Sequence, residues 1–128
     1  MALTKVTSNV IGDNSITSTK VGDEFKTTSA IGSSATENID WSSAQIFTLT
    51  PSQSTTLNII NPIIGVQKSF IITGSGNSYT ITLNVNGVAG TFNLISGEYD
   101  DTNGVKNYLN LIYVNTNEFW YTISQIAT

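Results

Sequence analysis

The chain of 128 residues contains no cysteine, no histidine and no arginine. Without cysteine there is no disulfide and no thiolate chemistry. Without histidine the usual neutral-pH base and the commonest metal ligand are both missing. Ser-His-Asp and Cys-His arrangements and the ordinary zinc sites therefore cannot be assembled. Charge is scarce too: 11% of residues are charged, and the net charge is −4. Lys5, Lys20, Lys26, Lys68 and Lys106 carry all the positive side-chain charge and do not cluster. A protein that binds phosphates needs a basic patch, so neither nucleic acid nor an anionic membrane is expected as a partner. No apolar run approaches membrane-spanning length. The opening "MALTKV" lacks the apolar core of a cleaved export signal, so synthesis in a cytoplasm is expected.

What is present is Thr, Ser, Asn and Gly, with 39% hydrophobic residues. That mixture is too apolar for disorder and too poor in Ala, Leu, Glu and Lys for helices. Thr, Ile, Val and aromatics suit pleated surfaces, and Asn and Gly suit turns. From Glu37 onward the chain alternates apolar and polar residues in short runs. "SYTITLNV" sets Tyr79, Ile81, Leu83 and Val85 against Ser78, Thr80, Thr82 and Asn84. "NYLNLIYV" puts Leu109, Leu111 and Tyr113 on one face. "EFWYTISQI" puts Phe119, Tyr121 and Ile123 on one face and Trp120 and Ile126 on the other. Period-two runs separated by Gly/Asn loops such as "TGSGNS" and "NTNE" read as strands and hairpins. The expectation is an all-β fold: an antiparallel sandwich or jelly-roll-like domain over residues 37–128, preceded by an extended arm over residues 1–36. Ile112, Val114 and Trp120 lie opposite the expected core side, which marks them as a candidate intersubunit face.

The arm repeats a ten-residue phrase. Thr7, Thr17 and Thr27 are ten apart, as are Ile11, Val21 and Ile31, and Gly12, Gly22 and Gly32. With so few apolar residues it cannot bury a core of its own and needs neighbours. Ile11, Val21 and Ile31 are the candidate anchors.

Candidate chemistry is thin. Glu98, Asp100 and Asp101 form a carboxylate cluster in a polar loop. It reads as a solvated loop, with Ca²⁺ binding and glycosidase-like acid–base work as alternatives. No spaced D-x-D-x-D series, G-x-S-x-G elbow or phosphate loop is present; a Ser-Lys pair is the one serine arrangement left open. Tyr79, Tyr99, Tyr108, Trp41 and Trp120 are candidates for stacking on sugars. No catalytic residue, cofactor or metal is assigned.

Two features together resemble bacteriophage virion surface proteins of the head-fibre, decoration and tail-fibre type. One is the decad "TSNVIGDNSI". The other runs from Asp40 to Ile126, opening "DWSSAQIFTLTPSQSTTLNIINP" and closing on the aromatic hairpin "YLNLIYVNTNEFWYTISQI". Where similar proteins carry a Trp-Pro after the "I-T" strand, this chain has "ITLNVNG". The resemblance implies a homotrimer at the virion surface, anchored to major capsid or tail proteins by its N-terminal arm. On this reading the protein is not an enzyme. The alternative is a tail-fibre or adhesin knob that recognises a host surface glycan.

Overall fold

The computed structural model describes residues 17–126. Two 3₁₀ turns, Ser18–Lys20 and Asp23–Phe25, lead into nine strands. These are β1 (Thr28–Ala30), β2 (Thr36–Asp40), β3 (Ile46–Leu49), β4 (Thr55–Ile60), β5 (Gln67–Thr73), β6 (Ile81–Val85), β7 (Thr91–Ser96), β8 (Lys106–Asn115) and β9 (Glu118–Ile126). The protein is all-β, as the alternation predicts.

Through β6 the chain winds between two sheets. β1, β3 and β5 lie side by side in one sheet, and β2, β4 and β6 form the other, every neighbour parallel. Each winding returns a residue to the flank of its counterpart: Thr36 lies beside Thr56, and Thr56 beside Thr82. The chain then changes mode. The hairpin β8–β9 adds antiparallel to β5, and β7 closes the far edge parallel to β9. The large sheet therefore runs β1-β3-β5-β8-β9-β7 and the small one β2-β4-β6.

This solenoid-like, mixed arrangement corrects the expected antiparallel sandwich or jelly roll. Among the described strands only β5–β8 and β8–β9 pair antiparallel. Alternation fixes which residues face inward but does not encode strand direction. The "TGSGNS" loop carries the chain from β5 in one sheet to β6 in the other, whereas "NTNE" is a hairpin, with Asn117 at φ 53°. Residues Thr28–Ala30 and Thr36 pair within the sheets, so the last decad is built into the fold.

Parallel pairing stacks like on like. Ile39, Ile59 and Val85 form one inward column and Leu57 lies beside Leu83. Phe47 lies beside Phe70 with ring centroids 5.2 Å apart. On the outer face Thr36, Thr56 and Thr82 form a column, and Asn38, Asn58 and Asn84 another. Asn58 Nδ2 donates to Asn38 Oδ1 at 2.8 Å, and the Gly87 N–H donates to Asn58 Oδ1 at 2.8 Å. Such ladders hold register, since a one-residue slip would turn polar columns inward.

The hairpin is tied to the windings by aromatic packing. Phe119, fully buried, meets Tyr113 at 4.8 Å, Phe92 at 5.0 Å and Trp41 at 5.4 Å between centroids. Trp41 also contacts Phe70 at 6.3 Å, so one cluster joins β2's end, β5, β7, β8 and β9. Phe119→Ala is expected to cost about 3–5 kcal/mol, the usual range for an emptied aromatic core site. Leu94→Ala, on a side chain 44% exposed, should cost less than about 1 kcal/mol. Urea unfolding midpoints of the two variants check this ordering.

Candidate interaction surfaces

The three sheet positions proposed from sequence as an outward face lie on it. Ile112 of β8 and Trp120 of β9 are register partners on the large sheet's outer face, and Val114 follows where the register shifts near Tyr113. Ile112 and Val114 are half-buried, and Trp120 is 48% exposed. The indole is held in place: Trp120 Nε1–H donates to Glu118 Oε1 at 3.1 Å, and Asn93 Nδ2 donates to the same oxygen at 3.1 Å. Further along the same face, Tyr108 and Ile126 are 41% and 69% exposed. With Ile71, Lys106 and Ser124 they line a shallow, almost wholly apolar depression of about 480 Å³. The Tyr108 hydroxyl is within hydrogen-bond distance of Ser69 Oγ, 2.8 Å.

The candidate arm anchors fare differently. Ile11 lies outside the described residues. Val21 is half-buried between the two 3₁₀ turns. Ile31 packs against this chain's own core, and its N–H donates to the Thr48 carbonyl at 2.7 Å. A residue that sequence reasoning did not single out holds the arm down: Lys68, on the inward face of β5 and 1% exposed. Its ammonium donates to the Glu24 carbonyl and lies 5.1 Å from the centre of the Phe25 ring. Burial lowers its pKa, and the nearby Glu24 charge opposes that shift. An inward lysine inside an alternating strand was the available signal.

The carboxylate loop is a brace, not a solvated loop. Asp101 accepts bonds from the Ser75 N–H (2.9 Å), the Ser75 hydroxyl (2.8 Å), the Tyr79 N–H (3.0 Å) and the Tyr99 hydroxyl (2.9 Å). Asp100 and Asn107 complete it: the Asp100 N–H donates to Asn107 Oδ1, and Asn107 Nδ2 donates to the Asp100 and Ile72 carbonyls. Gly74 packs so closely on this loop that any Cβ would collide with the Thr102 carbonyl. Glu98 stays exposed at the end of β7 and takes no part in the Asp101 bonds. Among the described residues no group of three or more His, Cys, Asp or Glu is placed to hold a metal ion.

A cleft of about 400 Å³ opens between β6 and the overhanging β9–β7 part of the large sheet. Ile81, Leu83, Leu94, Tyr99, Tyr121 and Ile123 line it. It exists because the small sheet has three strands and the large one six. Compared with protein-family models, curated proteins and solved structures, the chain gives no match.

The brace yields a pH prediction. Burial alone would raise the Asp101 pKa, but the Ser75, Tyr99 and Tyr79 donors outweigh it and hold it at about 2, below the ordinary 3.8. A folded-state pKa below the unfolded one stabilises the fold above the unfolded value. That contribution is lost as pH falls through the folded value. Unfolding midpoints should therefore drop between about pH 4 and pH 2. Asp101→Asn should be less stable than the native chain at pH 7 and show a shallower drop across that window, measured by urea titration at each pH.

Proposed function

We propose that this chain is a non-enzymatic structural protein of a bacteriophage virion, a trimeric capsid head-fibre or decoration protein attached through its N-terminal arm. It is made in the host cytoplasm and resides at the virion surface. Its partners are copies of itself and, through the arm, the major capsid or tail proteins. The observation that carries this reading is the outer face of the large sheet. A half-exposed Trp120, locked by Glu118 and paired with Ile112, shares this face with the apolar Tyr108–Ile126 depression, the Asn110–Thr122 pair lying between the two. Ordered aromatic and aliphatic side chains on a rigid sheet are what a recurring interface is built around. The solenoid-like core supports the same role, because stacked parallel strands give a stiff body that needs no ligand to hold its shape. The mechanism is burial together with strand pairing between copies.

A second reading rests on the same indole. Trp120 sits beside Asn93 and Glu118, a flat ring with polar groups at its rim, which suits stacking against a sugar. On that reading the protein is a tail-fibre or adhesin knob for host surface carbohydrate.

One experiment separates them. Trp120→Glu combined with Ile112→Asp should leave the far-ultraviolet circular dichroism unchanged and weaken self-association by at least about 30-fold, the equivalent of a hot spot of about 2 kcal/mol. The variant should also be missing from purified particles. Unchanged occupancy on particles counts against the structural reading. Glycan binding that disappears in Trp120→Ala while self-association persists favours the knob.

A further inference from the structure

The large sheet ends on β1 at one side and on β7 at the other, and among the described residues no strand flanks either edge. The ladders fix which backbone groups point outward there. The Ile46 N–H donates to the Thr27 carbonyl and the Ile31 N–H to the Thr48 carbonyl, so Thr27, Ser29 and Ile31 face β3. Thr28 and Ala30 therefore turn their N–H and C=O groups away from the sheet. On the other side the Thr91 N–H donates to the Asn117 carbonyl, so Thr91 and Asn93 face β9. Phe92 and Leu94 turn theirs outward, and no described residue pairs with the outward groups of either edge. Folded proteins blunt such edges with charge, proline or a covering segment. Thr28–Ala30 and Thr91–Ser96 contain no charged residue and no proline. Leu94 and Ile95 instead stand 44% and 63% exposed.

We propose that β1 of one copy adds parallel to β7 of the next, with Thr28 beside Asn93 and Ser29 beside Leu94; this rests on the reading that the protein assembles as a trimer. The Thr28 N–H would donate to the Phe92 carbonyl, the Leu94 N–H to the Thr28 carbonyl and the Ala30 N–H to the Leu94 carbonyl. Ser29 and Ala30 are small, which leaves room for the exposed Leu94 and Ile95 side chains. Strand direction selects this contact. A rotation axis that runs along the strands keeps their direction, so a cyclic assembly joins β1 to β7 only if the two point the same way. They do: β1, β3 and β5 are parallel, β8 reverses, β9 reverses back and β7 follows β9. Through Ile46, Ser69 and Asn110, Thr28 lies level with Thr122, whereas Asn93 lies level with Trp120. The contact thus steps along the strands from one copy to the next, the stagger that a closing sheet needs.

The ring also accounts for the outer face. Closing the large sheets edge to edge encloses one of their faces. The small sheet and the shared core occupy the inner one, so the enclosed face is the one that bears Ile112, Val114 and Trp120. Edge pairing sets the order of the copies, and burial of that face supplies most of the stability. The competing arrangement sets β7 against β7 of a second copy about a twofold axis. It leaves the outward groups of Thr28 and Ala30 unpaired and the Trp120 face open, whereas the head-to-tail contact uses both edges and the face together.

The absence of cysteine makes the contact directly measurable. Within one copy β1 and β7 lie on opposite edges of a six-stranded sheet, about 24 Å apart at about 4.8 Å per strand, too far for a disulfide. Neighbours on adjacent strands are within its span. The full-length Thr28→Cys/Asn93→Cys protein, oxidised and run on a non-reducing gel, should form covalent dimers and trimers that collapse to single chains on reduction. Ser29→Cys/Asn93→Cys places the thiols on opposite faces and should link at least about tenfold less. Asn93→Cys alone should not link. Dimers of Asn93→Cys alone, equal linking in the two double variants, or thiols that stay free would overturn the proposal. Sedimentation of the reduced Thr28→Cys/Asn93→Cys protein separates this from the trimer reading. A trimer whose thiols do not link on oxidation removes the edge pairing alone, whereas a monomer removes both.

Discussion

Parallel stacking of like side chains at one strand spacing is the constraint from which the rest of this structure follows. Once Thr36, Thr56 and Thr82 share a column, Ile39, Ile59 and Val85 must share the one that faces the core. Each winding then needs little further specification, because its neighbour supplies the hydrogen-bond partners and the packing surface. The same constraint makes the ends of the stack a problem. A winding with no neighbour leaves backbone groups and apolar side chains uncovered.

The two ends are handled differently. At the large sheet the hairpin β8–β9 turns the stack antiparallel, and the Phe119 cluster fastens it to Trp41 and Phe70. The preceding arm is pinned by the Lys68 ammonium on the Glu24 carbonyl and the Phe25 ring. Among the described residues no strand follows β6 in the small sheet; Val88 bridges Val85 at its edge, and the cleft lined by Ile81 and Leu83 opens beside it.

Much of this was legible in the sequence, because burial writes itself as period two. Leu109, Leu111 and Tyr113 are buried, and Ile112 and Trp120 face outward, as the alternation of β8 and β9 demands. Strand direction was not legible: the polar loop after β5 has a hairpin's composition but connects two sheets. The decads pointed to a beat of ten, which is the length of one strand and one turn; strands begin at Thr28, Thr36, Ile46 and Thr55. The repeat that governs register is the full winding, and its mark is the Thr-x-Asn phrase, not the decad. Asp101 read as a solvated carboxylate because sequence spacing could not show that Ser75 and Tyr79 converge on it. Ile31 likewise matched Ile11 and Val21 by position, yet packs, half-buried, against its own chain's core.

The central proposal is that the chain associates with other copies of itself as a trimer. Sedimentation equilibrium of the unmodified protein over a wide concentration range tests it most directly. The account predicts a single closed species at three times the 13.7 kDa chain mass. A 13.7 kDa monomer at every concentration would contradict it.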